Sequence, residues 1–114
     1  MAQPISTIAE FRNYLQLVEE RAQHHAKNVD TVILALAGAV VMLSDAGNQL
    51  EVRQYRGRTV NVLWLKKRGR RFAFSYNHDA NAIELRERSV TGPAISRFTN
   101  RSTLREVHDA ISQL

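Results

Sequence analysis

A chain of 114 residues carrying a formal charge of +5, with 24% charged and 44% hydrophobic residues, has the size and balance of one globular domain; such a chain buries about two-thirds of its unfolded surface. Five Gly and two Pro exclude a disordered or low-complexity chain, and the longest apolar run, Val32 to Leu43, falls short of the ~20 residues that cross a bilayer. Without cysteine there is no disulfide framework, thiolate nucleophile or Cys-type zinc site, and the opening MAQPISTIAEF lacks the basic and apolar blocks of a signal peptide, so a soluble cytoplasmic protein is expected.

The first element is an amphipathic helix over residues 7–27. Thr7 and Glu10 form a T-x-x-E capping box, and Ile8, Phe11, Leu15, Val18, Ala22 and His25 recur at three-four spacing. Asn28-Val29-Asp30 then offers a local cap for a second helix, Thr31 to Ser44, which is apolar on every side, rich in small residues and stopped by Asp45-Ala46-Gly47. A strand over Val40 to Leu43 is the competing reading, because Val-Val is strand-prone.

From Leu50 the apolar period changes to two. Leu50 and Val52, then Val60, Val62 and Trp64, then Phe72, Phe74 and Tyr76, then Ile83 and Leu85 alternate with more polar residues. Arg56-Gly57, Lys67-Arg68-Gly69-Arg70 and Asn77-His78-Asp79 separate the runs with turn chemistry, giving a four-stranded antiparallel meander. A fifth short strand, Ala94 to Phe98, follows Gly92-Pro93, and a last helix, Thr103 to Gln113, opens on a second capping box at Thr103 and Glu106. The order predicts a single α+β domain over residues 1–114: two N-terminal helices, a four- to five-stranded antiparallel meander and a C-terminal helix packed on one sheet face. Trp64, Phe72 and Phe74 are expected in its core. On this reading the opposite face carries Leu63, Leu65, Ala73 and Ala82 as an apolar centre inside a charged rim, the anatomy of an interface. These four residues are the candidate dimer contacts, and a homodimer is expected.

Charge is unevenly distributed. Residues 1–47 sum to −2, residues 48–101 to +8 and residues 102–114 to −1. A positive central block suits an anionic partner, nucleic acid being the commonest, although exposed strands also use Arg to discourage edge pairing. The candidate anion-binding residues are Arg53, Arg56, Arg58, Lys66, Lys67, Arg68, Arg70, Arg71, Arg86 and Arg88, with five basic residues in six between Lys66 and Arg71.

Catalytic chemistry is thinly signalled. His24 and His25 are adjacent rather than four apart, so they do not form a helical ligand pair, and no metal or cofactor is implied. Tyr76, Asn77, His78 and Asp79 bring a phenol, an amide, an imidazole and a carboxylate together beside Arg71 and Arg86, which are the parts of an acid-base site; Asn and Asp also build turns for conformational reasons alone. The five Gly are far apart, so there is no phosphate-cradling loop.

Two resemblances follow. The segment Phe72-Ala73-Phe74-Ser75-Tyr76-Asn77-His78-Asp79, continuing through Ala82-Ile83-Glu84-Leu85-Arg86, Gly92-Pro93 and Phe98-Thr99-Asn100, resembles a family of small bacterial proteins carried on integron gene cassettes. The resemblance runs from Ile5-Ser6-Thr7 to the last helix; it implies a mobile accessory gene and brings no catalytic residues with it. The architecture is also similar to the RelE-type mRNA interferase toxins, which use basic and Tyr side chains on a sheet. That likeness implies Tyr55, Arg58, Lys66, Arg71, Tyr76 and Arg86 as candidates for phosphate neutralisation and proton transfer. Such toxins begin with a strand ahead of the helices, where this chain has only Met1 to Ser6. A non-enzymatic binding module is the preferred expectation, ahead of an RNA-cleaving toxin and of a small-molecule binder using the space between helices and sheet.

Overall fold

The structure is a computed structural model that describes the backbone of residues 2–5, 7–43, 50–55, 58–88 and 92–114, and the side chains of these except residues 2–5, 25, 50–55, 58–62 and 64. Among the described residues, three α-helices, Ile8–His25 (α1), Val32–Leu43 (α2) and Leu104–Ser112 (α3), cover one face of an antiparallel sheet. Its strands are Ala2–Ile5 (β1), Leu50–Tyr55 (β2), Arg58–Lys67 (β3), Arg70–Asn77 (β4), Ala82–Glu87 (β5) and Ala94–Phe98 (β6), adjacent in chain order. The α+β meander is therefore the one expected, with β1 added at its edge. Pro4 masks that strand in the sequence, because a residue without an N–H fits only where one row of backbone groups is unpaired.

Helix α1 begins at its expected cap: Thr7 Oγ1 accepts the Glu10 N–H at 3.1 Å and donates to the Glu10 carboxylate at 3.1 Å. Its inward row is Phe11, Tyr14, Leu15, Val18 and Ala22. Ile8 is almost wholly exposed rather than part of that stripe, and burial pushes the Tyr14 phenol above its ordinary range. The side chain of His25 lies outside the described residues.

Helix α2 forms in preference to the competing strand, but its start is held from a distance. Asn28 and Val29 belong to a 3-10 turn, Lys27–Val29, instead of forming a local cap. The N–H groups of Thr31 and Val32 both donate at 3.0 Å to Oδ1 of Asn100, 68 residues beyond Val32. The amide of Asn100 in turn donates to the Lys27 carbonyl at 2.9 Å and to Asp30 at 2.8 Å, while its own N–H donates to the Asn28 carbonyl at 2.7 Å. One side chain thus satisfies the orphan donors at the head of α2 and pins the 3-10 turn to the end of β6. The expected stop at Asp45-Ala46-Gly47 and the turn at Arg56-Gly57 lie outside the described residues. Helix α3 has the complete capping box, with Thr103 N–H to Glu106 Oε1 at 2.9 Å and Glu106 N–H to Thr103 Oγ1 at 3.0 Å.

The phase of β3 differs from the expected one. Arg68 and Gly69 have φ of 53° and 75°, a two-residue hairpin turn of the kind that matches sheet twist, so Lys67 pairs with Arg70, Leu65 with Phe72 and Leu63 with Phe74. Leu63 and Leu65 consequently face the helices with the Phe rings, and their exposure falls to 8% and 1%. The expected exposed centre is absent: Ala73 and Ala82 stand on the opposite face but are sunk among longer cross-strand neighbours, Arg86 beside Ala73 and Asn77 beside Ala82. The four candidate dimer contacts are all covered within one chain. Phe72 and Phe74 lie in the core as expected, with Val40, Leu85, Val107 and Ile111; Trp64 pairs with Ala73 in the backbone register, and its side chain lies outside the described residues.

Replacing Asn100 by Ala removes the distant cap and the tie to the 3-10 turn together. Urea unfolding is expected to show a loss of about 2 kcal/mol, whereas Ser102→Ala, beside it, should cost less than half as much.

Candidate anion-binding face

The sheet separates the candidate cations into three groups according to strand phase. Lys67 belongs to the helix side: it is buried, and its Nζ donates at 2.7 Å to the carbonyl of Ile111 in the last turn of α3. There it adds a side-chain donor to a carbonyl that also accepts from the Leu114 N–H, and it opposes the negative end of the helix, which is structural work. Arg70 is held too, paired through Nη2 and, at 2.9 Å from Nε, with Glu87, and its guanidinium lies 5.1 Å from the Phe72 ring centre. The Arg70 guanidinium keeps the Glu87 carboxyl below its usual range.

The second group is a buried ion cluster on the sheet face away from the helices. Glu84, 1% exposed, accepts from Asn77 Nδ2 at 3.0 Å, from Arg97 Nε at 2.6 Å and from Arg86 Nη2, while Arg86 Nη1 donates to the Gly92 carbonyl. Hydrogen bonding by Asn77, followed by Arg97 and Arg86, draws the Glu84 carboxyl down to about 2 despite its burial. Its cover is the side chains laid over it, since it stands on a sheet face and not in the apolar core. Arg97 was not a candidate on sequence grounds. Its signal is Glu84 itself, the acidic residue inside a basic block that must find partners on adjacent strands.

The third group forms the candidate face. Lys66 pairs directly across from Arg71 on the face away from the helices, and Arg88, just past β5, donates its backbone N–H to the Arg71 carbonyl at 2.8 Å. Arg68 projects from the adjoining turn; Lys66, Arg68 and Arg88 are exposed and Arg71 is half-buried. Arg88 has φ of 70°, and its Nε lies 3.8 Å from Glu87. Like charges placed directly opposite one another, as Lys66 and Arg71 are, cost a few tenths of a kcal/mol or more. Arg53 and Arg58 lie on β2 and β3 with side chains outside the described residues, and Arg56 lies outside them altogether.

Tyr76, Asn77, His78 and Asp79 do come together, at the other end of β4. With Ser75, Glu84 and Arg86 they line a shallow open depression of about 310 Å³. Their contacts are mainly structural. Asn77 Oδ1 accepts the N–H groups of Asp79 and Ala80 at 2.9 and 3.2 Å, an Asx turn, and its amide holds Glu84. Tyr76 pairs with Ile83 on the helix side, and its hydroxyl donates at 3.4 Å toward Asn28 and Asn81, while the His78 ring meets its edge at 4.9 Å. Among the interferase-like candidates, Tyr76 is therefore on one face and Lys66, Arg71 and Arg86 are on the other. Tyr55 and Arg58 have side chains outside the described residues. Among the described residues there is also no group of three or more His, Asp or Glu placed to hold a metal ion, and no helix is long and apolar enough to cross a membrane.

Fold and face together define a small α+β protein with a helical layer on one side of its sheet and the Lys66–Arg71 cation pair and the Glu84 ion cluster on the other. A family model described as "Integron cassette protein VCH_CASS1 chain" matches residues 11–108, and the chain belongs to this family of bacterial integron cassette proteins. A search of curated proteins finds no match. The residues that carry the family likeness in the sequence have physical roles here: Phe98 fills the core, Asn100 caps α2, Asn77 builds the Asx turn, and Glu84 with Arg86 forms the ion cluster.

The ion cluster has a pH signature. The Glu84 carboxyl titrates at about 2 in the folded chain against an ordinary 4.5, so the unfolded chain takes up a proton first as pH falls. The stability that Glu84 contributes is complete above pH about 4.5 and is lost as the pH falls through about 2. Glu84→Gln is expected to lower stability at pH 7 by about 1–3 kcal/mol and to flatten the dependence of the urea midpoint between pH 5 and pH 2.

Proposed function

We propose that this integron cassette protein is a non-enzymatic binding module that docks the cations of its sheet face on the phosphate backbone of nucleic acid. The observation that carries the reading is the register that sets Lys66 opposite Arg71, with exposed Arg68 at the adjoining turn and Arg88 bonded through its backbone to Arg71. Phosphates are the ligands that such spacing and charge suit, and releasing their counterions drives binding. Phe72 and Phe74 are buried on the helix side, which favours contact with the backbone over stacking on bases and hence little sequence preference. The binding reading is supported over an RNA-cleaving one by the separation of Tyr76 from Lys66 and Arg71, which stand at the other end of β4 on the other face, and by the engagement of Arg86 with Glu84 and Gly92.

Titration of labelled duplex DNA and RNA tests the proposal. With three or four phosphates neutralised, affinity for duplex DNA is expected to fall about 40- to 150-fold between 50 and 200 mM salt. Combined Lys66→Glu, Arg68→Glu and Arg88→Glu should abolish binding with little change in melting temperature. Lys67→Met should do the reverse, costing stability at the end of α3 while leaving binding near the wild-type level. Absence of binding at 50 mM salt, or binding indifferent to the triple substitution, overturns the reading.

A further inference from the structure

The ion cluster holds one more cation than its carboxylate needs. Arg86, with 16% of its side chain exposed, balances the charge of Glu84 by itself, yet Arg97 bonds the same carboxylate from the next strand. One carboxylate and two guanidinium groups sum to +1, and the surplus falls on Arg97, whose side chain is 61% exposed. Its Nε is bound to Glu84 at 2.6 Å, while its two Nη groups have no partner among the described residues. Among those residues Asp79, in the turn after β4, makes no ion pair with it.

We infer, on the footing of the proposed nucleic-acid contact, that Arg97 is a second phosphate contact on the sheet face away from the helices. The ligand is then a run of nucleic acid long enough to reach Arg97 and the Lys66–Arg71 pair at once. Backbone register puts both on one face. Arg97 is opposite Glu84, Glu84 is opposite Ser75, and Ser75 stands four residues from Arg71 along β4, on the same side. Two strand spacings across and four residues along set the Arg97 and Arg71 backbones about 16 Å apart. Phosphates follow one another at ~3.4 Å of axis along one strand of a duplex, so about five nucleotide steps cover that distance. A mononucleotide or dinucleotide is too short. Two features fit Arg97 to a phosphate. An Arg fixed at Nε still offers its Nη pair in the planar, two-pronged geometry that a phosphate accepts. Its rotamers are already restricted by Glu84, so docking removes less side-chain freedom than it would from a loose surface Arg.

The test titrates a DNA duplex of about 16 base pairs at salt concentrations from about 50 to about 200 mM. Arg97→Gln should lower affinity roughly tenfold at the low-salt end and reduce the slope of log affinity against log salt by about 0.9, the loss of one phosphate. Arg97→Lys keeps the charge and should keep the wild-type slope. Arg101→Gln, which removes an exposed cation beyond β6, should change neither quantity. Because Arg97→Gln also takes a partner from Glu84, a second measurement uses the wild-type chain. Modification of Arg97 by phenylglyoxal, followed by peptide mass, should slow several-fold at saturating duplex, while that of Arg101 is unchanged. An Arg97→Gln chain with wild-type affinity and slope, or an Arg97 modified equally fast with and without duplex, overturns the inference. If Lys66→Glu, Arg68→Glu and Arg88→Glu together still abolish binding in that case, the nucleic-acid reading stands without it. A wild-type chain that does not bind at the low-salt end overturns both.

Discussion

The two-residue turn at Arg68-Gly69 governs where nearly every important side chain of the sheet ends up. With φ of 53° and 75° at its two residues, it permits one register between β3 and β4, in which Lys67 faces Arg70. A shift of a single residue would exchange the two faces of β3, moving Leu63 and Leu65 out of the core and Lys66 into it. The core under α2 and α3, the Lys67 contact at the end of α3 and the Lys66–Arg71 cation pair on the opposite face all follow from this one backbone geometry. Gly69 supplies a positive φ without cost, while Arg68 adopts a conformation that a β-carbon disfavours.

The helical layer is joined to this sheet through polar ties as well as apolar burial. Asn100 holds the start of α2 and the preceding 3-10 turn, and Lys67 closes the end of α3. Asn100 satisfies N–H groups left open at the head of α2, and Lys67 adds a charged donor at the end of α3. On the far side of the sheet, Glu84 gathers Asn77, Arg86 and Arg97 from three strands, fixing two cations that composition alone would count as surface charge. Arg70 and Lys67 are likewise engaged within the fold. Among the described residues of the central block, the positive charge is thus narrower in its reach than the residue count suggests, with Lys66 facing Arg71 beside the Arg68 turn.

The result is a two-sided molecule. One side is helical, with an outer arc on α2 that is apolar and uncharged; the other is a sheet face with the Lys66–Arg71 cation pair and an ion cluster.

Local chemistry was enough to read the three helices and the strands from β2 to β6 from the sequence, but not β1. The change of apolar period near Gly47, the capping boxes at Thr7 and Thr103 and the Gly-bearing turn after Lys67 each operate within a few residues, and the expected helices and strands formed around them. The phase of β3 was not legible, because Val62, Leu63, Trp64 and Leu65 are apolar in succession and alternate equally well on either face; only pairing with β4 through the turn chose between them. The cap on α2 was hidden for a similar reason, its acceptor being 68 residues beyond Val32. The candidate site divided in the same way: charge composition pointed to Lys66–Arg71 as a basic hairpin, but tertiary contacts took Lys67 and Arg70 into the structure and set Arg88 beside Arg71. Sequence determines what a residue prefers locally, whereas the side of a sheet it occupies, and the partner that neutralises its charge, are settled only when distant strands meet.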